Sequence, residues 1–302
     1  MVLVDIILPM YKADDVIYQS INSVISQTYR NWHLYIIDDA SGDNRLDEIK
    51  TRYKDHKDKI SYYQFRKNRR AAACRNYAIH HGHGDYLAFI DQDDVWLSHK
   101  LKTQVDYLEK TKFDVVHGDF LFIDYNGKFI LEALSERQNE YRKKIDWTGL
   151  SHTQLANELF LSPNIRIISS MVRRSAFERI GGFKENYFGG EDELFWFELA
   201  LHGKIGHLNT ILFHRREHDN NTVKVHKVDR LMGYLKSTHY INRKYHQIVK
   251  DNYKHKERSI YHSLIRSLIR EKNYLLLIGY LMIALVKYPS STIRHVIKKY
   301  NC

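Results

Sequence analysis

The sequence predicts an α/β domain with a mostly parallel central sheet, followed by a C-terminal helical extension. Three observations lead to this fold class. Strand-like and helix-like patterns alternate over the first hundred residues, acidic clusters follow two of the predicted strands, and the pattern is helical from about Val225 onward. With 302 residues, 43% of them hydrophobic, the chain can bury a sizeable core. We predict two regions, residues 1–222 and 223–302.

Apolar runs and helical spacing define the elements of the first hundred residues. The nearly continuous run Val2–Leu8 is typical of a strand covered on both faces. Later elements follow in the order helix Ala13–Gln27, strand His33–Ile37, helix Leu46–Tyr53, strand Ile60–Phe65, helix Ala71–His81 and strand Tyr86–Ile90. This order predicts parallel strands with right-handed crossovers, and ligands bind at the C-terminal ends of such strands.

The middle of the chain is less regular. It predicts strands at Val115–Ile123 and Lys128–Leu131 around an Asn126-Gly127 turn, and a loop-rich segment over the site from about Ser135 to Asn164. The remaining predicted elements are strand Ile167–Val172, helix Ser175–Ile180 capped by Ser175, helix Glu191–His202 and strand Ile205–Phe213. A break is expected at Pro289-Ser290-Ser291.

The positive charge lies in the C-terminal extension. The net charge of the chain is +11, yet residues 223–302 contain 17 Lys and Arg against four Asp and Glu, so the preceding residues are nearly neutral. The apolar stretch Tyr274–Val286 is shorter than the ~20 residues that cross a bilayer. We therefore expect a helix that lies on an anionic membrane or packs on the body. The alternatives are a solvated basic face or a homo-oligomer interface; no recognition motif favours nucleic acid.

The expected location is the cytoplasm, peripheral to the inner face of the cell membrane. The sequence passes from Met1 directly into a strand pattern, without the apolar run of a signal peptide. Only Cys74 and Cys302 are present, which is typical of a reducing compartment.

The acidic cluster Asp91-Gln92-Asp93-Asp94 follows a predicted strand. Alternate residues of a strand share a face, so Asp91 and Asp93 can point into one cleft. Two carboxylates in one cleft need a cation, and their oxygens suit Mg²⁺ or Mn²⁺. An exposed acidic turn is the alternative that spacing alone leaves open.

Motifs in a fixed order make residues 1–222 resemble the family 2 glycosyltransferases. The matching segments are Val4–Ser41 with Asp38-Asp39-Ala40-Ser41, Asn68, Arg75-Asn76, Gly84-Asp85-Tyr86, Asp91-Gln92-Asp93-Asp94, Arg173–Phe177, Gly181-Gly182-Phe183, Glu191-Asp192 and Arg216-Glu217-His218. The resemblance implies a single nucleotide-sugar-binding domain of the GT-A type. It also implies inversion at the anomeric carbon.

The resemblance implies a role for each matching residue. Pro9 and Tyr11 would line the nucleoside pocket, and Asp39 would accept a hydrogen bond from uracil. Asp93 would be the principal ligand of Mn²⁺ or Mg²⁺, with Asp94 and His218 as further ligands. Asp91, Arg75 and Arg216 would bind the donor. Asp192 would be the general base, because inverting transfer needs a group that takes the acceptor's proton. Without the other motifs, the Glu191-Asp192 pair reads as an acidic helix N-terminus.

Further residues have two interpretations. Trp196 lies one helical turn after Asp192 and, with Glu191, could contact the acceptor, although core packing is the more common fate of such a ring. Arg75 is as consistent with an ion pair as with diphosphate binding. The chain also departs from the family at Arg70, where a glycine is frequent two residues after the asparagine, and at Cys74.

The function that these patterns favour is sugar transfer from a UDP-sugar to a saccharide or lipid-linked acceptor in surface polysaccharide or lipooligosaccharide synthesis. A sugar nucleotidyltransferase would show a Gly-rich basic loop after the first strand, and Pro9-Met10-Tyr11-Lys12-Ala13 is not one. A non-catalytic, membrane-associated homologue is the other alternative.

Overall fold

The computed structural model describes residues 1–130, 145–162, 165–218 and 226–292. Packing divides the chain into two compact units. The first contains Met1–Glu185 and Phe195–His218, and the second contains Asn186–Leu194 and the described residues after Asp219. The C-terminal extension therefore forms one unit with a short segment from the middle of the sequence.

The first unit is built on one sheet, which has eight strands within the described residues. In chain order the strands are β1 Val4–Met10, β2 Trp32–Asp38, β3 Ile60–Gln64, β4 Tyr86–Phe89, β5 Val95–Trp96, β6 Val115–Ile123, β7 Ser170–Arg173 and β8 Ile205–Arg216. Their spatial order is β3-β2-β1-β4-β7-β6-β8-β5. β1 is fully buried except for Pro9, which explains why its residues other than Asp5 are apolar.

Most neighbouring strands are parallel, as the sequence predicts. β3, β2, β1 and β4 form a parallel half, and β6 is parallel to β8. β7 is antiparallel to both β4 and β6, and the two-residue β5 is antiparallel to β8. Met10 pairs with Asp38, so the loops that follow β1 and β2 leave the same edge of the sheet.

The described helices agree with most of the predicted ones. They are α1 Ile17–Ile25, α2 Arg45–Arg52, α3 Arg70–His81, α4 Lys100–Thr111, α5 His152–Leu161, α6 Arg174–Arg179, α7 Glu191–His202, α8 Lys227–Arg270 and α9 Tyr274–Lys287. α1 buries Ile17, Ile21 and Val24, the face that helical spacing predicts. α7 begins in the second unit and continues into the first.

Several details differ from the sequence prediction. Among the residues described after the Asn126-Gly127 turn, only a single bridge from Phe129 to Ile123 replaces the predicted strand. The predicted loop-rich segment contains α5, which Ser151 and Gln154 begin with a capping box; residues 131–144 and 163–164 lie outside the described residues. Ser175 is not a cap, because α6 begins one residue earlier.

In the second unit the chain reverses direction within α8, which the continuous helical pattern of the sequence does not predict. His239 Nε2 lies 2.7 Å from Glu257 Oε1, although 18 residues of straight helix would extend about 27 Å. The backbone leaves helical geometry at Tyr245 (φ −128°, ψ 37°), so α8 has two arms that fold against each other. A second break separates α8 from α9, and a third occurs at Tyr288, one residue before the predicted position.

One face of α9 packs on α8. Leu277, Tyr280, Leu281 and Ala284 join the apolar cluster around Leu264 and Leu268. Of the helices in the described ranges, none is both long and apolar enough to span a bilayer.

Glu257 holds the arms of α8 and the end of α9 together. Its buried carboxylate accepts hydrogen bonds from Tyr253 (2.9 Å), Lys287 (2.7 Å) and Tyr288, and it contacts His239. Burial alone would raise the pKa of Glu257, but these partners outweigh burial and hold the pKa well below 4.5.

Glu257→Gln is expected to lower the free energy of unfolding of the second unit by about 3 kcal/mol at pH 7. A carboxyl whose folded pKa is depressed stabilises the fold above its unfolded pKa, so wild type should lose this stability as the pH falls below about 4.5. Denaturant titrations followed by circular dichroism at pH 7 and pH 4 measure both effects. Glu271→Gln, at an exposed position, is the matched control; equal stabilities for the two variants would contradict the role of Glu257.

Candidate active site

Loops after β1, β2 and β4 meet at one edge of the sheet. The backbone N–H of Tyr11 donates to Gln92 Oε1 (2.8 Å), and Gln92 Nε2 donates back to the Tyr11 carbonyl (3.2 Å). The N–H of Lys12 donates to Ser41 Oγ (2.8 Å), which ties the first loop to the second. The Tyr11 side chain remains 43% exposed beside these contacts. The predicted convergence of strand ends is therefore observed. Gln92 connects two of the loops, a role that the sequence pattern does not indicate.

Asp39 is buried at the end of β2. Its two carboxylate oxygens accept hydrogen bonds from the backbone N–H groups of Arg69 (2.6 Å) and Arg70 (2.7 Å). Burial raises the pKa of Asp39 and these hydrogen bonds oppose the change. Each carboxylate oxygen can accept a second hydrogen bond, and the Cys74 thiol is close enough to donate one. The structural role of Asp39 in holding the segment before α3 was not predicted.

The backbone conformation of Arg70 explains why the family frequently has glycine at this position. Its φ is +70°, in the left-handed region where glycine is unstrained and other residues cost about 1 kcal/mol. The hydrogen bond from its N–H to Asp39 offsets this cost. Cys74, the other departure, is buried nearby, and burial raises the pKa of its thiol.

The three aspartates after β4 differ in environment. Asp91 has 41% of its side chain exposed and accepts from Arg75 (3.2 Å), whose guanidinium is buried. Asp93 Oδ2 lies 2.9 Å from His218 Nε2, and both side chains are about one-fifth exposed. Asp94 is only 2% exposed and accepts from the backbone N–H of Arg216 (2.9 Å). Of the two interpretations of Arg75, the structure shows the ion pair, and its partner is Asp91.

Carboxylates crowd together in this loop. Burial raises the pKa of Asp94 well above its ordinary value, and the neighbouring charges of Asp93 and Asp91 raise it further. Across the residues with described positions, no three His, Cys, Asp or Glu side chains form a complete metal site. Asp93 and His218 nevertheless place one oxygen and one nitrogen side by side, and Mg²⁺-type ions commonly take one or two protein ligands plus substrate phosphates. The donor set therefore fits an ion that is shared with a diphosphate.

Arg216 supports the acidic loop from within the protein. It has no exposed surface, and its guanidinium donates to the carbonyls of Asp93 (2.9 Å), Asp124 (3.0 Å) and Tyr125 (2.5 Å) and to Gln19 Oε1 (2.7 Å). A contact with the diphosphate, which the resemblance implied, would require exposed nitrogen atoms. We therefore correct the prediction that Arg216 contacts the diphosphate. Its buried guanidinium instead holds the acidic loop through hydrogen bonds to backbone carbonyls.

The segment with the predicted base belongs to the second unit. Glu191 and Asp192 lie in the first turn of α7 and are partly buried. Further along the helix, Trp196 is completely buried and its ring packs edge-on against Phe195, with centroids 4.9 Å apart. Of the two interpretations of Trp196, core packing is therefore the correct one. The ring has no exposed surface that an acceptor could contact.

Comparison with known proteins decides the family. Residues 5–181 match the model of glycosyl transferase family 2, which is more than half of the chain. The chain belongs to glycosyl transferase family 2. The matched residues of this family 2 chain include both acidic strand ends of the candidate site.

Curated relatives of this family 2 chain include bacterial enzymes of polysaccharide synthesis. One is the Escherichia coli UDP-Glc:alpha-D-GlcNAc-diphosphoundecaprenol beta-1,3-glucosyltransferase WfgD, 37% identical over 131 residues, or 42% of this chain and 51% of the relative. Another is the putative teichuronic acid biosynthesis glycosyltransferase TuaG of Bacillus subtilis, 36% identical over 106 residues, or 35% and 42% of the two chains. The chain thus spans about half the length of these relatives.

Solved structures share the fold with this family 2 chain. Staphylococcus aureus TarS 1–349 in complex with UDP-GlcNAc has a TM-score of 0.62 at 17% identity, covering 97% of this chain and 83% of that one. The mannosyltransferase PcManGT from Pyrobaculum calidifontis, in complex with GDP-Man and Mn²⁺, has a TM-score of 0.63 at 15% identity, covering 98% and 86%. At these identities the similarity establishes the GT-A type fold.

Proposed function

We propose that this family 2 protein is an inverting glycosyltransferase that moves a hexose or N-acetylhexosamine from a UDP-sugar to a saccharide or lipid-linked acceptor. The observation that carries the proposal is the convergence of Tyr11, Asp39 and the Asp91–Asp94 loop at one sheet edge. Surface polysaccharide or lipooligosaccharide synthesis is the process that the named activities of WfgD and TuaG favour.

Each end of the donor has a group of matching chemistry at this edge. Tyr11 and Pro9 offer partly exposed apolar surface to the nucleoside, and Asp39 offers an acceptor for a ring N–H. Asp93 and His218 would hold Mn²⁺ or Mg²⁺ together with the diphosphate, and the half-exposed carboxylate of Asp91 adds negative charge close to them. A bound cation would also favour the charged form of Asp94, which burial disfavours. A bound ion would neutralise the charge of the departing diphosphate.

The proposed base is Asp192. In a single displacement the acceptor oxygen forms a bond to the anomeric carbon while the bond to the nucleotide breaks, and the carboxylate takes the acceptor's proton. The configuration at the anomeric carbon inverts because attack and departure occur on opposite faces. Glu191, next to Asp192 on α7, would face the acceptor.

A melting-temperature screen of nucleotide sugars with Mn²⁺ tests the donor. A UDP-sugar at one hundred times its Kd should stabilise the protein by about 2.7 kcal/mol, or about 5 °C in Tm. GDP-mannose and UDP without Mn²⁺ are the matched controls. Preference for GDP-mannose would replace the UDP-sugar assignment, and no stabilisation by any nucleotide sugar, together with no transfer product, would overturn the proposed function.

We also propose that the C-terminal extension binds an anionic membrane. α9 exposes apolar side chains on the face opposite to α8; the most exposed are Leu275 (85%), Val286 (80%) and Ile278 (62%). The surplus of 17 basic over four acidic residues in 223–302 gives the charge that anionic headgroups attract. Docking would place the protein at the membrane that contains lipid-linked acceptors.

Ile278→Ser with Val286→Ser is expected to weaken vesicle binding about a hundredfold, because each exposed apolar side chain contributes about 1.5 kcal/mol when buried. Co-sedimentation with vesicles of which about one-third of the lipid is anionic measures the change. Phe129→Ser removes an exposed aromatic ring (58%) from the first unit and is the control. Wild-type binding that is equal on neutral vesicles, or replaced by self-association, would contradict the proposal.

A further inference from the structure

The turn before α7 lies unusually close to α8. Gly189 has φ +87°, and a Cβ there would lie 2.7 Å from Arg230 Cα. A Cβ on Gly190 would lie 2.6 Å from both the Gly233 carbonyl oxygen and Ser237 Oγ, and a Cβ on Gly233 would overlap the Phe188 carbonyl. Only glycine permits backbones to approach so closely. The turn that leads into Glu191-Asp192 is therefore docked on the first arm of α8.

Glu193 fastens the first turn of α7 to the same helix. Its side chain is 1% exposed, and one carboxylate oxygen accepts from Ser237 Oγ at 2.6 Å. The other oxygen is in direct contact with Nζ of Lys256, which is 9% exposed. Ser237 comes from the first arm of α8 and Lys256 from the second, on the other side of the reversal at Tyr245. Glu193 therefore joins three segments of the second unit.

A buried ion pair often contributes little net stability to a fold. Removing two charges from water costs several kcal/mol per ion, and apolar residues of similar size often stabilise a core more. Burial lowers the pKa of Lys256 to about 7. Such a pair has a clear use where it fixes the position of a neighbouring functional group.

We infer that Glu193, Ser237 and Lys256 are positioning residues for Asp192, so that the C-terminal extension is part of the catalytic apparatus. The inference rests on the proposed role of Asp192 as general base. Asp192 follows the docked glycines and directly precedes the anchored Glu193, so its backbone is held on both sides. The extension thus orients the base in addition to any role at a membrane.

Lys256→Met tests the inference. Removing the cation should loosen the first turn of α7 and reduce kcat about thirtyfold, because displacement by about 1 Å can cost a hundredfold in rate. The Kd of the UDP-sugar, measured by calorimetry with Mn²⁺, should stay within about twofold, since the donor groups lie in the first unit. Lys236→Met, at an exposed position on the same helix, should leave both quantities unchanged.

Ser237→Ala is the milder second variant. It removes one hydrogen bond to Glu193, keeps the ion pair, and should lower kcat about fivefold with an unchanged donor Kd. If Lys256→Met fails to fold, Ser237→Ala decides the question. A folded variant of either kind with wild-type kcat, or with kcat and donor affinity reduced alike, overturns the inference. Absence of transfer by wild type would instead sink the proposed function, so the two failures are distinguishable.

Discussion

Asp192→Asn is expected to lower kcat for sugar transfer by about a thousandfold. Removal of a general base typically costs between about a hundred- and ten-thousandfold, and asparagine is nearly the same size as aspartate. The Kd of the UDP-sugar should remain unchanged, because the donor groups belong to other segments. Single-turnover rates and calorimetry on the same preparation measure the two quantities.

Asp229→Asn is the matched control for this variant. Asp229 also belongs to the second unit, but it is exposed, and among the described residues its ion pair is a long contact (3.8 Å) with His226. Its replacement should change kcat by less than twofold. Retention of wild-type kcat in Asp192→Asn would exclude Asp192 as the base and would leave the donor site without an assigned partner for the acceptor hydroxyl.

Asp93→Ala is expected to abolish the Mn²⁺-dependent part of donor binding and to reduce kcat/KM at least a thousandfold. The variant removes the oxygen beside His218 Nε2, one of the two ligands that we assign to the ion. Without the ion, little remains to neutralise the departing diphosphate. Calorimetric titration of the UDP-sugar with and without Mn²⁺, and activity after EDTA treatment, measure the effect.

Asp106→Ala provides the control for the loss of a carboxylate. Asp106 is exposed on α4 and pairs with Lys102 on the same helix. Its removal should change neither the Mn²⁺ dependence nor the Kd of the donor. If Asp93→Ala binds the UDP-sugar with the same Mn²⁺ dependence as wild type, the assignment of Asp93 is wrong. The Asp93 and Asp192 variants should also differ in kind, one losing donor binding and the other only turnover.

The parallel half of the sheet could be predicted because its signals are local. Nearly continuous apolar runs such as Val4–Leu8, which only Asp5 interrupts, and the helical spacing of α1 can be read without knowledge of distant residues. The position of Asp39 and of Asp91–Asp94 at strand ends followed from the same local patterns. Comparison with the family pattern also identified Arg70 as a departure. The left-handed backbone of Arg70 gives the physical reason why glycine is frequent at this position.

What could not be predicted depends on long-range contacts. Nothing near Arg216 in the sequence indicates that its guanidinium is buried among acceptors from three other segments. The reversal of α8 at Tyr245 could not be predicted, because helical periodicity continues on both sides of this residue and no proline or glycine lies next to it. Glu193 reads as one more acid at a helix N-terminus until Ser237 and Lys256 are seen around it.

Arg216 also has a consequence for how the protein is made. Its guanidinium bonds to Gln19, 197 residues earlier, and to the Asp93 carbonyl, 123 residues earlier. During synthesis the acidic loop cannot acquire these hydrogen bonds until the last strand has left the ribosome, and closing such long loops is slow. The nascent chain therefore carries Tyr11, Asp39 and the Asp91–Asp94 loop long before the hydrogen bonds that hold this loop can form.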